Sequence, residues 1–315
     1  MSHRSFLFVA VGLILLSLVL TRVIENEYYF FAGYVILQYI VLATAWNILG
    51  GYTGYVNFGS AGFFAAGAYT TIALVKWVEL PLYVMIPLAG VVCGLIGLAT
   101  GYLTLRLRGV YFAIATLALA IVLETVISNW EHVGGASGAF VLRPKEVFFF
   151  DSYVEFLFWI MSVLAAFAIF VARYIERSRF GRGLAAIRDD EGVAESMGVP
   201  TLKLKLMSTT ISGGMMGLAG APFAYYVTYI DPPSAFNLEY AVNAVAMPMI
   251  GGPTSWLGPV IGAILLGGAQ QIATVTISSE LNLLIVGIML VVFVIVAPDG
   301  IVGLVRRLYA KARGR

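Results

Sequence analysis

Ten apolar stretches, most of them close to the ~20 residues that an α-helix needs to cross a hydrocarbon core, follow one another along this chain. They cover approximately residues 6–21, 30–49, 58–75, 82–105, 109–128, 153–173, 207–229, 237–251, 256–276 and 281–297. Inside a bilayer a backbone must satisfy its own hydrogen bonds, and runs of this length do so as helices. The expected fold class is therefore all-α: a polytopic transmembrane helix bundle of about ten spans. The eighth stretch is short and holds Asn243 and Pro248, so a re-entrant segment is the alternative there.

Composition closes the soluble route. The chain is 60% hydrophobic and 11% charged, whereas a soluble domain carries about 25% charged residues. A net charge of +2 implies no nucleic-acid partner. The single cysteine, Cys93, sits in an apolar run, cannot form an intrachain disulfide, and reads as a small buried hydrophobe. His3 and His132 are too few and too far apart for a metal site. The first apolar stretch follows Ser2-His3-Arg4 as a secretion signal would. Thr21-Arg22-Val23-Ile24-Glu25 after it lacks a small-x-small cleavage pattern, so a retained first helix is expected.

Cytoplasmic loops of membrane proteins are enriched in Lys and Arg. With the first span starting inside, only Arg22, Lys76, Arg143 and Lys145 of the 19 basic residues fall outside. An asymmetry this strong predicts an even number of spans with both termini cytoplasmic. Two connections exceed plain turns: an outer one at about 129–152 and an inner, highly charged one at about 174–206. No Ser-rich or Pro-rich linker divides the chain, so residues 1–315 are expected to form a single transmembrane domain.

The inner connection carries an amphipathic pattern. Leu184, Ile187, Glu191 and Ala194 recur at helical spacing, with Met197 a turn later, and Gly181 and Gly198-Val199-Pro200 punctuate the ends. The expectation is one short helix over 182–198. Ala185, Ala186 and Ala194 would admit another surface closely, and Arg182, Arg188, Asp189, Asp190 and Glu195 would make that contact specific. A solvated loop whose arginines only anchor the topology is the alternative.

Other residues suggest a polar path. Gly50-Gly51-Tyr52-Thr53-Gly54 and Gly251-Gly252-Pro253-Thr254 are not expected to be ordinary helix throughout. Broken backbone at membrane depth lines a cavity in many transporters; plain interhelical turns are the alternative. Thr116, Ala120, Glu124 and Ser128 share one small, polar helix face. An acid at mid-membrane costs roughly 2.5–3.5 kcal/mol and normally faces the bundle interior. Glu124 either lines a path or sits near the outer interface. Gln38, Thr44 and Asn47 in the second span invite the same question. Tyr28, Tyr29, Trp77, Tyr83, Trp130, Trp159 and Trp256 lie near span ends and read as interfacial belts.

The run Arg177, Gly181, Arg182, Ala186, Ile187, Arg188, Asp189, then Ala194, Glu195 and Gly198, resembles the loop of LivM-type permease subunits of branched-chain amino-acid ABC transporters. Gly51 to Thr70 resembles the family's early glycine-rich signature, and Leu107 to Ala118 a middle one. Val133-Gly134-Gly135-Ala136-Ser137-Gly138 resembles its outer element, and Gly251-Gly252 to Gly258-Pro259 a late one. They occur in family order from about residue 40 to 300. Tyr55, Asn57, Ser60 and Val133 stand where the family often has Gln, Ser, His and Thr.

The resemblance implies a permease of a bacterial or archaeal inner membrane, importing leucine, isoleucine or valine. It implies that Gly181, Arg182, Ala185, Ala186, Arg188, Asp189, Ala194, Glu195 and Gly198 form a coupling helix seated on an ATP-binding subunit. A second, non-identical permease and a periplasmic substrate-binding protein would complete the assembly, with the lipid bilayer around it. Gly54, Asn57, Thr116, Glu124, Gly251 and Gly252 are the candidate translocation-path residues.

The chain has no Gly-Lys pair and hence no phosphate-binding P-loop, no His-Glu-x-x-His and no Gly-x-Ser-x-Gly. It is expected to be no enzyme and to bind no cofactor or metal, with ATP and magnesium held by the partner ATPase. A urea or short-amide importer is the nearest alternative. An ion-coupled secondary transporter would need more intramembrane ligands than Glu124, and a membrane enzyme would need a catalytic cluster.

Overall fold

A computed structural model of the chain describes residues 3–24, 26–78, 80–143, 150–276, 282–297 and 300–312. Lys145 and the rest of 144–149, the 277–281 connection between the last two expected spans, and Arg313 and Arg315 lie outside the described residues. The first six helices are α1 (His3–Val23), α2 (Tyr28–Thr53), α3 (Ser60–Val78), α4 (Leu82–Thr104), α5 (Val110–Ser128) and α6 (Tyr153–Arg177). After two short helices, α7 (Arg179–Asp189) and α8 (Glu191–Ser196), comes the long α9 (Thr201–Val227). Then follow α10 (Pro232–Ala235), α11 (Leu238–Gly251), α12 (Leu257–Thr276), α13 (Asn282–Val296) and α14 (Gly300–Ala312). Each expected apolar stretch coincides with one helix, and the fold is an all-α polytopic bundle. Among the described residues, six helices have the length and apolarity to cross a bilayer.

The centre is built on α2 and α9. A helix that is apolar on every side can face either other helices or lipid, and the most apolar window of α2 is 72% buried among its neighbours, against 17% for α5 at the rim. Helices in lipid gain nothing from hydrophobic association and instead rely on close packing of small residues. The most extensive helix pair follows this rule: Gly90, Gly94, Gly97 and Gly101 of α4 meet Thr209, Thr210, Gly213, Gly214 and Gly217 of α9. On its other side α9 meets α3, where a Cβ on Gly67 would overlap the backbone of Gly217. Cys93 is buried in this seam, with its Sγ 3.4 Å from the Phe63 carbonyl oxygen.

One end of the bundle carries α7 and α8. The opposite end is tied by a two-residue antiparallel pairing, β1 (Ala139–Phe140) on β2 (Tyr229–Ile230), with Ala139 opposite Ile230. Arg143 secures the same join. Its Nε donates to the Tyr225 carbonyl at 2.8 Å and an Nη to the Tyr226 carbonyl at 2.5 Å, satisfying acceptors that the end of α9 leaves open.

The Gly50–Gly54 segment is helical as far as Thr53 and breaks at Gly54, at a positive φ of 78° that favours glycine. One local expectation changes: the inner connection forms two helices instead of one over 182–198. Beyond residue 297 the chain forms a further helix, α14.

Candidate functional site

The α7–α8 module is shaped by its caps. Ser178 separates α6 from α7, and its Oγ accepts from the Gly181 N–H at 3.1 Å. Gly181 is buried so tightly that a Cβ would overlap the Ile175 carbonyl. Asp190 then leaves the helical region (φ −161°, ψ 112°), and its carboxylate accepts from Val193 N–H at 3.0 Å, making it the N-cap of α8. This is why the expected single helix divides: the side chain of Asp190 offers the backbone a better bond than continuing the helix would. Gly198, with φ of 85°, ends the module before α9.

Beneath the module lies an ion pair between a buried lysine and a mostly buried glutamate, their side chains 4% and 13% exposed. Lys205, in the first turns of α9 and 3% exposed, donates to Glu191 Oε1 of α8 at 2.6 Å, to the Leu105 carbonyl at the end of α4 at 3.3 Å, and to the Tyr55 hydroxyl at 3.1 Å. The Tyr55 hydroxyl in turn donates to Glu191 Oε2 at 2.5 Å, and the Arg108 Nε lies 3.8 Å from the same oxygen. Burial alone would raise the Glu191 carboxyl. The hydrogen bonds from Lys205 and Tyr55 and the charges of Lys205 and Arg108 outweigh it and hold the group below the usual carboxylate range. Burial, and then the adjacent carboxylate, push the Tyr55 phenol far above its ordinary value, so it remains a neutral donor. Beside this polar joint, Ile187 of α7 joins Leu49, Tyr55, Leu105 and Phe112 in a small apolar cluster of its own.

The nine expected coupling residues divide between two faces. Gly181 and Ala194 face inward with Leu184 and Ile187. Arg182, Arg188, Asp189, Glu195 and Gly198 are exposed, Ala185 and Ala186 are half-buried, and Val193 and Met197 are exposed hydrophobics beside them. Arg188 pairs with its neighbour Asp189 at 3.3 Å, and its aliphatic stem lies under Gly54.

The candidate path residues do not form one constellation. Gly54 and Asn57 lie in the connector between α2 and α3, where Asn57 Oδ1 accepts from Gly59 N–H at 2.7 Å and its carbonyl accepts from Trp46 Nε1 at 2.8 Å. Thr116 of α5 accepts from the Phe58 N–H at 3.1 Å, pinning the same connector. Gly251 and Gly252 form a second break at the same end of the bundle, with Gly252 at φ of 119°. The two breaks touch: a Cβ on Gly51 would overlap the Pro253 carbonyl. Glu124 stands apart, half-buried on α5 and about 12 Å along the helix from Thr116 at 1.5 Å per residue. The face it was expected to share packs on α3, where Gly62 meets Ala120.

Of the second-span polar residues, Gln38, Thr44 and Asn47 are all buried. Near them a chain of amides crosses three helices: Gln270 Nε2 donates to Asn243 Oδ1 at 3.2 Å, and Asn243 Nδ2 donates to the Tyr39 hydroxyl at 3.1 Å. Trp256, just before the start of α12, receives the Arg173 guanidinium over its ring at 5.4 Å, while Phe6 receives it at 4.3 Å. The backbone N–H of Trp256 donates to Glu176 at 2.6 Å.

Lys205 and Glu191 were missed as a pair. A lysine at a span end reads as a topology marker, and Glu191 reads only as one member of the helical pattern with Leu184, Ile187 and Ala194. The available signal was Lys205 itself, four residues into α9 and directly before its apolar stretch, where a cation needs a partner.

A protein-family model described as branched-chain amino acid transport system / permease component matches residues 28–294. The high-affinity branched-chain amino acid transport system permease protein LivM of Salmonella typhimurium is 30% identical over 294 residues, covering 85% of this chain and 68% of that protein. LivM of Escherichia coli is 29% identical with the same coverage. The probable branched-chain amino acid transport permease protein LivH of Methanocaldococcus jannaschii is 25% identical over 270 residues, covering 80% of this chain and 84% of that protein. No solved structure matches the chain.

Proposed function

The chain belongs to the permease-component family of branched-chain amino acid transport systems, and from that premise we infer that it forms half of the membrane path of an ATP-driven importer for leucine, isoleucine and valine. It is a multi-pass membrane transport subunit and not an enzyme. Its ATP and magnesium reside on separate ATP-binding subunits. A second permease of the LivH kind and a periplasmic substrate-binding protein complete the assembly in the inner membrane. The relatives come as LivM and LivH proteins, which favours a mixed permease pair.

Ten spans with both termini cytoplasmic form the topology of a single transmembrane domain over 1–315. The gathering of residues 50–59, 105–109, 174–206 and 252–256 at one end of the bundle supports the alternation of spans, and the Lys and Arg residues concentrated in these segments favour that end as the inner side. The observation that carries the coupling role is the two-faced α7–α8 module. Its inner face is bonded to α9, to the α2–α3 connector and to the end of α4, while its outer face offers Arg182, Asp189, Val193, Glu195 and Met197. ATP-driven closure of the motor subunits would move this module and tilt the helices bonded to it. Gly54, Asn57, Thr116, Gly251 and Gly252 then belong to the inner gate of the path, and Glu124 to its outer half. Tyr55 and Asn57, where the sequence departs from the family's usual residues, are both tied into the packing at this end, and the branched-chain reading over a urea or short-amide importer rests on the family and the relatives.

The test is purification in mild detergent followed by reconstitution with the binding protein. The expected result is co-purification of a P-loop ATPase and a second permease, loss of the ATPase in Ala186→Asp, and ATP-dependent uptake of labelled leucine. A homo-oligomer that transports without any ATPase would overturn it in favour of an ion-coupled transporter.

A further inference from the structure

Lys205 is a deeply buried cation at the α7–α8 end, 3% exposed, and each of its hydrogen bonds leads to a different element. Its ammonium is bonded to α8 through Glu191, to the α2–α3 connector through Tyr55 and to the last turn of α4 through the Leu105 carbonyl. It also lies 4.6 Å from the centre of the Tyr55 ring. Arg108, in the link between α4 and α5, approaches the far oxygen of the same carboxylate. Three donors on the ammonium meet three acceptors, so the cation has no spare bond to water. Glu191 sits on the first residue of α8, directly after the Asp190 break that frees α8 from α7. Displacement of α8 therefore either carries Lys205, Tyr55 and Leu105 with it or leaves an ammonium and a carboxylate buried without partners, which is the costlier outcome.

We propose that the Lys205–Glu191–Tyr55 triad is the transmission joint of the permease: a rigid link that passes displacement of α8 to α9, to the α2–α3 connector and to α4 together. The proposal rests on the coupling role inferred for α7 and α8 and adds which contact carries the movement inward. Lys205, Glu191 and Tyr55 are positioning residues, since none of them need touch substrate. The joint lies on the inner face of the module, opposite Arg182, Asp189 and Glu195. Breaking it therefore leaves the outer face available to the motor subunit. A triad that only held the loop in place would differ from a transmission joint in what is lost when it is cut.

The experiment uses the assembled importer in lipid nanodiscs and proteoliposomes, with wild type, Lys205→Met, Glu191→Gln, Tyr55→Phe and the conservative Lys205→Arg. Amide exchange across residues 191–196 reads the joint, and leucine imported per ATP hydrolysed reads transmission. Expected are a rise in exchange of at least tenfold in Lys205→Met and Glu191→Gln, retained ATPase subunits, and a fall of at least tenfold in transport per ATP. Tyr55→Phe gives a smaller change of the same kind and Lys205→Arg restores most of both. Raised exchange with unchanged transport per ATP would leave a structural tether and overturn transmission, and unchanged exchange would overturn the joint itself. If the variants fail to assemble, Tyr55→Phe, the mildest change, decides by the same two readouts. A wild-type chain that assembles with no ATPase overturns the coupling role and this proposal with it, a result distinct from the others because it appears without any substitution.

Discussion

Lys205 of α9 and Glu191 of α8 stand 2.6 Å apart, fourteen residues distant in sequence, and hold the start of one helix against the start of another. Removing one member of a buried pair costs far more than removing both, because the survivor keeps its desolvation penalty. Lys205→Met is expected to destabilise the chain by about 3 kcal/mol, and adding Glu191→Leu is expected to recover most of that loss. Thermal unfolding of the single and double variants in one detergent checks it. A double variant no more stable than the single would mean the two charges are not energetically paired.

The pH dependence of the same site follows from the direction in which Glu191 is shifted. Its folded-state carboxyl titrates below the usual range, so its contribution is fully present above the unfolded value of about 4.3 and disappears as pH falls through the still lower folded value. Amide protection of residues 191–196, corrected for intrinsic exchange, should be level from pH 8 to 5 and drop only in stronger acid. Glu191→Gln should abolish the acid step. A step near neutrality in wild type would contradict the assignment.

The seam between α3, α4 and α9 should tolerate no added carbon at Gly217. A Cβ at Gly217 would meet Cys93 Sγ at 2.6 Å and the Ala89 carbonyl at 2.8 Å. Gly217→Val is expected to cost at least about 3 kcal/mol, the upper end for overpacking. Gly268→Ala, at a position with nothing within 4 Å, should instead be neutral or gain up to about 1 kcal/mol from helix propensity. Comparing unfolding midpoints and expression in membranes separates the two.

In the interior, Asn243 bonds both Gln270 and Tyr39. Polar bonds between membrane helices are modest, averaging about 0.6 kcal/mol with a maximum near 1.7. Asn243→Leu removes two of them and should lower stability by about 1–2 kcal/mol. Its effect should shrink when Gln270 is already Leu, and strict additivity in that double-mutant cycle would show that the chain of amides is not coupled.

The helices that cross the bundle were legible because a bilayer demands long apolar runs, and α2 through α6 begin and end within a few residues of the sequence expectation. The break at Asp190 was hidden because Leu184, Ile187 and Ala194 keep helical spacing across it, while the capping power of Asp190 is a local signal that periodicity ignores. Lys205 was hidden because its partner lies on another helix, and a single sequence contains no distances. Arg173 poses the same difficulty, since its stack on Phe6 and Trp256 joins three distant segments. A two-residue pairing such as β1 with β2 is too short to alternate. Among the path residues, the two glycine-rich breaks were recognised as breaks; that they touch, and that Glu124 stands apart, belongs to tertiary packing alone.

The glycine seam also sets how the chain can diverge over time. Every replacement of glycine adds at least a methyl group, so where backbone lies on backbone there is no smaller residue to pass through on the way to another. A change on one wall cannot be absorbed by trimming the other, because Gly67 and Gly217 already present the least that a residue can offer. Substitutions elsewhere in the chain leave this spacing untouched, and the slab of α3, α4 and α9 is the fixed ruler against which the rest of the bundle is set.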